Sequence, residues 1–210
     1  MTERKPAAGR PAESDENRPG ASRAPGRPRS ERAEKAILDA TVDLLAEESG
    51  VDGVSMEAVA ARAGVAKTTI YRRWPNKEAL IVGALGSLKG PLPELPGTGL
   101  RDDLLTLARH MSVERGFKAS RCFWNVVGGA EKYPELYARY KQDVITPRRE
   151  VYREVLRRGI ERGEARADLD LDVAVAMLVG AFAYHKPPDP LPDGFADHVV
   201  DTVLRGISAD

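Results

Sequence analysis

From Ser30 onward the apolar residues recur at three- and four-residue steps. Ala33, Ile37, Ala40 and Leu44 line up as one buried helical face. Ser30 followed by Glu31 reads as an N-cap with an acid in the first turn, where the helix dipole favours it. Gly50 and Gly53 bracket the exit of this first helix. Ser55 is expected to cap a short second helix ending near Ala63, with Gly64 making the turn. A third short helix is expected from about Ala66 to Arg73, and Asn76 caps a fourth that reaches about Leu88. Residues 90–97 are a loop by their proline and glycine content.

Beyond that loop the spacing predicts helices at roughly 100–115, 119–131, 134–146, 147–162, 171–185 and 194–207. Thr146 before Pro147 either caps a new helix or marks a proline kink in one long helix, and the sequence leaves both open. Gly163 and Asp170 are stop and start signals, and residues 186–193 form a proline-stiffened loop. No strand pattern and no internal repeat is visible. The expected fold is all-α, with a three-helix N-terminal unit over 30–78 and a larger helical unit over 79–210.

Composition alters this picture in two places. The 210 residues carry 32 basic and 32 acidic side chains, so any basic footprint has to be local. Residues 1–29 are rich in Pro, Gly, Ala, Arg and Glu, with Met1 the only large apolar side chain. Such a stretch cannot bury enough apolar surface to offset its ordering entropy, and is expected to be a disordered basic arm. The single cysteine, Cys122, excludes an internal disulfide and fits a reducing compartment. No apolar run approaches the ~18–20 residues of a membrane span, and no signal-peptide core is present. A soluble cytoplasmic protein is the expectation. His110, His185, His198 and Cys122 lack metal-ligand spacing, so neither a metal nor a cofactor is expected.

The informative stretch runs from Val54 to Leu80. Val59, Ala63, Val65 and Ile70 supply an apolar wedge between two short helices, and Gly64 permits a left-handed turn residue. The second short helix has an apolar side, Ile70 and Trp74, and a polar side carrying Lys67, Thr68, Thr69, Arg72 and Arg73. Between Ala58 and Lys77 there are five basic side chains and no acidic one. This pattern suits a helix laid in the major groove, its N-terminal residues on base edges and its flanks on phosphates.

The run from Ser30 to Leu85, above all A-x-x-A-G-V-A-K-T-T-I-Y-R-R-W-P-N-K-E-A-L, resembles the DNA-binding domain of the TetR family. The stretch T-P-R-R-E-V-Y-R-E-V-L-R-R-G-I-E-R-G-E-A-R-A-D-L-D is similar to the ligand domain of one TetR subgroup. The resemblance implies base and phosphate contacts for Lys67, Thr68 and Thr69, and phosphate contacts for Tyr71 and Lys77. Ser55, Arg72 and Arg73 complete the expected DNA-binding set. Two positions depart from the family pattern. Ala66 replaces the usual Ser or Thr cap, and Trp74 replaces the usual phenylalanine. Pro25-Gly26-Arg27-Pro28-Arg29 resembles arginine-proline cores that enter narrow minor grooves, which adds Arg27 and Arg29 as candidates.

The resemblance further implies homodimerisation on a palindromic operator, through the last two long helices, and a small-molecule pocket. Val175, Leu178, Val179, Phe182, Val199 and Val203 are the expected dimer contacts. His110, Met111, Phe123, Trp124, Tyr137 and Tyr140 are the expected pocket lining, aromatics and a methionine with a few polar tips. No phosphate loop, nucleophile elbow or paired-acid site points to an enzyme. The expected role is a ligand-released repressor. An activator or dual regulator, or a helix-turn-helix used only to bind protein, are the alternatives.

Overall fold

The computed structural model describes residues 27–47, 49–113, 116–184 and 191–207, and the side chains of 27–29, 117 and 184 lie outside that description. Most of the expected basic arm, residues 1–26, therefore falls outside the described residues, as does most of the second proline loop.

Helix α1 (Arg27–Ala46) begins three residues before the expected cap. Pro28 lies in its first turn, where a missing N–H costs no hydrogen bond. Ser30 is thus inside the helix, and its side chain serves another purpose described below. A one-turn helix α2 (Gly50–Gly53) forms between the two glycines, which the sequence shows only as an exit. Helix α3 (Met56–Ala63) starts at Ser55, whose Oγ accepts from the Ala58 N–H at 3.0 Å. Gly64 ends α3 at φ 65°, a left-handed conformation that a β-carbon would strain.

Helix α4 (Lys67–Tyr71) has no side-chain cap at Ala66. Helix α5 (Lys77–Lys89) does have one, because Asn76 Oδ1 accepts from the Ala79 N–H at 2.8 Å. The larger unit comprises α6 (Leu100–Val113), α7 (Phe117–Val127), α8 (Pro134–Tyr140), α9 (Thr146–Glu161), α10 (Leu171–Tyr184) and α11 (Phe195–Ile207). Gly128 and Gly129 follow the end of α7, which stops short of the expected residue 131. Asp170 Oδ1 caps α10 by accepting from Asp172 and Val173 N–H groups at 2.9 and 3.1 Å.

The question left open at Pro147 has a third answer. Helix α8 continues into a π-helical turn, Lys141–Ile145, and then directly into α9 without a break. Proline lacks the N–H of a regular turn, and its ring collides with the carbonyl four residues back. A widened turn immediately before it relieves both constraints while the rod runs on.

Among the described residues two hydrophobic cores result. One gathers Ile37, Leu45, Val59, Ile70, Leu80 and Ile81, and it also takes in Cys122 and Val126 of α7 and Leu136 and Tyr140 of α8. The other packs α6, α9, α10 and α11 around Leu104, Leu156, Leu178, Phe182 and Val200. Helix α5, together with α7 and α8 of the larger unit, thus shares a core with α1–α4, which a division after residue 78 does not show. Helices α9 and α6 meet at Gly159, where an added β-carbon would lie 2.9 Å from Leu100 Cδ2. Leu100 is itself buried and has little room to give. Gly159→Ala is therefore expected to lower the unfolding free energy by about 1–3 kcal/mol, the usual range for overpacking, as read from urea denaturation.

Candidate nucleic-acid interface and internal cavity

Helix α4 is held by one residue. Ile70 is fully buried in the core that α1, α3 and α5 share, which fixes the direction of everything on the opposite side of α4. Lys67, Thr68, Tyr71 and Arg72 consequently face solvent, with Thr69 and Lys77 half-buried beside them. Tyr71 is 49% exposed, so it is not a core tyrosine. A large aromatic left open on a short helix is available for contact with another molecule. Lys77 begins α5 next to it, where the free N–H groups of a helix start favour an anion.

The local positive charge is partly answered by the protein itself. Lys67 Nζ donates to Glu57 Oε1 at 2.9 Å, and this bond raises the lysine pKa and lowers that of the glutamate. Arg62 pairs with Glu47. Arg73, expected on the DNA-facing side, turns the other way. Its Nε donates to Glu34 Oε2 at 3.3 Å and its Nη2 to the carbonyl and hydroxyl oxygens of Ser30. The reason is that α4 ends at Tyr71, so helical periodicity no longer describes residue 73. Arg73 ties the end of the recognition segment to α1. Ser55 spends its hydroxyl on the α3 cap. Arg27 and Arg29 stand in the first turn of α1, with side chains outside the described residues.

Trp74 fills a slot that Gly83 of α5 keeps open. A β-carbon at Gly83 would sit 2.7 Å from the indole Nε1. The bulkier plug noted in the sequence is thus matched by a glycine on the next helix. Together they lock the end of the recognition segment onto α5.

Sequence reasoning missed the contacts that join α7 to this unit. Asn125 Nδ2 donates to the Leu45 carbonyl at 2.7 Å, capping the end of α1 from 80 positions away. Cys122 Sγ lies 3.4 Å from the Val42 carbonyl, and burial pushes its thiol pKa up to about 11. Lys118 bonds Asp43 at 2.6 Å. Lys132 bonds Asp52 at 2.5 Å and Tyr133 donates to the same carboxylate, which these two partners hold below its ordinary pKa. The available signal was Asn125 itself, an amide among the apolar residues of α7.

The other side of α7 borders a cavity that opens to solvent. Of the expected lining, His110, Met111 and Phe123 are present, joined by Tyr152 and Val179 and by the cations Lys89, Arg148 and Arg149. Trp124, Tyr137 and Tyr140 do not line it. Helix α8 docks on α5 rather than α6, so Tyr140 is only 1% exposed within the first core. Trp124 stacks edge-to-face on Phe123 with centroids 5.3 Å apart.

The expected dimer residues also point elsewhere. Val175, Leu178, Phe182, Val199 and Val203 are buried in this chain's own core, and Val179 lines the cavity. Helix α10 is apolar on most sides, so periodicity alone could not choose its inner face. The outer face carries Val173, 55% exposed, and Met177, 51% exposed. No helix among the described residues is long and apolar enough to cross a membrane.

A helix-turn-helix with an open polar row, carried on a helical body with a cavity, defines a DNA-binding transcriptional regulator. Residues 37–84 match the "Bacterial regulatory proteins, tetR family" and residues 95–203 the "Tetracyclin repressor-like, C-terminal domain". An HTH-type transcriptional regulator of Bacillus subtilis, YdeS, is 32% identical over 187 residues, 88% of this chain and 94% of its own. A DNA-binding transcriptional repressor, TetR, of Mycobacteroides abscessus is 31% identical over 84% of this chain and 94% of its own. The crystal structure of Bacillus subtilis FadR in complex with stearoyl-CoA superposes with a TM-score of 0.61 at 19% identity, covering 82% of this chain and 98% of that one. The chain belongs to the TetR family, whose members are regulators and not enzymes.

The Trp74–Gly83 match is open to a double-mutant cycle. Gly83→Ala alone is expected to cost about 1–3 kcal/mol of stability by overpacking. In a Trp74→Phe background the same change should cost measurably less, because the smaller ring vacates the contact. Equal costs in the two backgrounds, measured by chemical denaturation, would show that the indole is not the obstacle.

Proposed function

We propose that this regulator is a repressor that binds a palindromic duplex operator as a homodimer and leaves it when a small molecule fills the cavity. The observation that carries the reading is the solvent-open row of Lys67, Thr68, Tyr71 and Arg72, set beside Lys77 and oriented by the buried Ile70. Major-groove entry puts such a row on base edges and phosphates. Arg27 and Arg29 lie at the start of α1 and would extend the contact into a minor groove. A relative that shares most of the chain is named a repressor, and a fold neighbour holds stearoyl-CoA, which supports both halves of the reading. The site of action is the cytoplasm, where the DNA is.

The dimer is assigned to the outer face of α10. Val173, Ala176, Met177 and Gly180 share one face, with Ala176 and Met177 three and four residues after Val173 and Gly180 four and three after them, and all are exposed. Small residues beside two large apolar ones permit close approach, and an isologous contact supplies the two-fold symmetry a palindrome requires. Ligand binding then acts as a population shift toward a dimer whose recognition helices no longer match successive major grooves.

Selection from a random duplex library tests the DNA half. The wild type is expected to enrich a two-fold palindrome, and a Tyr71→Ala, Lys77→Ala double variant is not. Recovery of only salt-sensitive, sequence-independent DNA by both would remove the reading. Met177→Glu tests the dimer separately. It should shift the protein from dimer to monomer in analytical ultracentrifugation while leaving the helical circular dichroism intact, since the side chain is outside the protomer's core. A dimer that persists would move the interface to another surface.

A further inference from the structure

We propose that the cavity selects an anionic amphiphile, a ligand with an apolar body and a terminal carboxylate or phosphate that is gripped by Arg149. The inference rests on the sensor reading above and adds the chemical class of the ligand.

Most of the wall is apolar, formed by Leu92, Leu107, Met111, Phe123, Ile145 and Val179. Its charged lining is entirely positive. Lys89, Arg148 and Arg149 border the space, and no aspartate or glutamate does so among the described residues. Two of these cations have different standing. Arg148 Nη2 donates to the Gly90 carbonyl, which fastens the loop after α5. Arg149 is in no ion pair among the described residues, and its Nε is buried without a hydrogen-bond partner. It also borders a second, more polar pocket with Lys141, Thr146, Arg153 and Asp172. The one acid there, Asp172, is already bonded to Arg153 at 2.7 Å.

A guanidinium N–H removed from water and given no acceptor is unfavourable, and a ligand that brings an acceptor relieves it. The planar fork of arginine fits a carboxylate or phosphate through two parallel hydrogen bonds. Low dielectric around the apolar wall strengthens that pairing, and makes a cationic ligand beside three positive side chains correspondingly unfavourable. An apolar body is required as well, because a small anion alone would leave most of the wall uncovered. Helix α7 contributes Ala119, Ser120 and Phe123 to the wall, so an occupant presses on the same helix that caps α1 through Asn125.

The test uses the full-length protein and four ten-carbon probes below their micelle concentrations: decanoate, decyl phosphate, decanol and decyltrimethylammonium. By calorimetry both anions are expected to bind at least about tenfold more tightly than decanol, with the cation weakest. Their relative order identifies the preferred head group. Arg149→Met should erase the preference for anions while leaving decanol binding within about threefold of wild type, and Arg149→Lys should restore part of it. Wild-type binding of decanol as tight as decanoate would overturn the proposal, as would an anion preference that survives Arg149→Met, or a failure of every probe to bind. Operator affinity, measured with the palindrome selected above, separates the two readings. Tight anion binding that leaves operator affinity unchanged would overturn the inducer reading and leave the anion site standing. Release by decanol as readily as by decanoate would support a sensor and overturn its selectivity for anions.

Discussion

The structure depends on how the end of α1 is satisfied. A helix leaves its last carbonyls without intrahelical partners, and α1 ends at Ala46 in the middle of a packed region. The partner for the Leu45 carbonyl is Asn125 of α7, and the Cys122 thiol approaches the Val42 carbonyl one turn earlier. Each bond contributes only about 0.5–1.5 kcal/mol net, but an unsatisfied buried carbonyl would cost more than that. Helix α7 is therefore obliged to lie across the DNA-binding unit, and its Cys122 and Val126 enter that unit's core.

That obligation makes α7 a wall with two occupied sides. One side closes the cavity and the other holds α1, while Lys132 and Tyr133 just beyond it fasten Asp52 of α2. A body that enlarges the cavity has few ways to do so without moving α7, because the opposite wall is the close-packed core of α6, α9 and α10. A second route runs through α5. It carries Lys77 at its DNA-facing end, Gly83 against Trp74 in its middle, and Lys89 on the cavity at its far end. On the proposed reading, the sensor acts through two rigid elements, each in contact with the cavity and with the recognition segment or its support.

Features set by a few neighbouring residues were legible in the sequence. Ser55, Asn76 and Asp170 cap where they were expected to, and Gly64 makes its left-handed turn, because each effect is complete within one turn of chain. Periodicity did not mark Tyr71 as open; only the family resemblance singled it out, and the structure leaves it 49% exposed. What escaped was decided by docking. Arg73 lies past the end of α4 and is captured by Glu34 and Ser30 from α1. Tyr140 went to the first core because α8 packs on α5. The buried face of α10 had no periodic signature, since alanine, valine and leucine occupy nearly its whole circumference. Nothing in the sequence sets Arg149 apart from the other arginines of α9, and the role proposed for it comes from the cavity beside it.

The charge balance of the DNA-facing segment constrains how it can bind. Of its five basic side chains, Arg62, Lys67 and Arg73 are bonded to carboxylates of the same protein. Arg72 and Lys77 remain without ion pairs among the described residues, which in a dimer makes four cations ready to displace counterions. With a slope near −0.9 per phosphate contact, four contacts weaken binding by only ~10²-fold between 50 and 200 mM salt. A single protomer would hold DNA weakly, and even the dimer would lean on Tyr71, Thr68 and the helix N-termini more than on net charge. That economy suits a protein of zero formal charge. On the proposed reading these exposed cations add little non-specific attraction, and affinity would rest on two recognition helices fitting two major grooves at once. Such an arrangement is sensitive to the spacing between protomers, and spacing is what a shift of α5 and α7 would change.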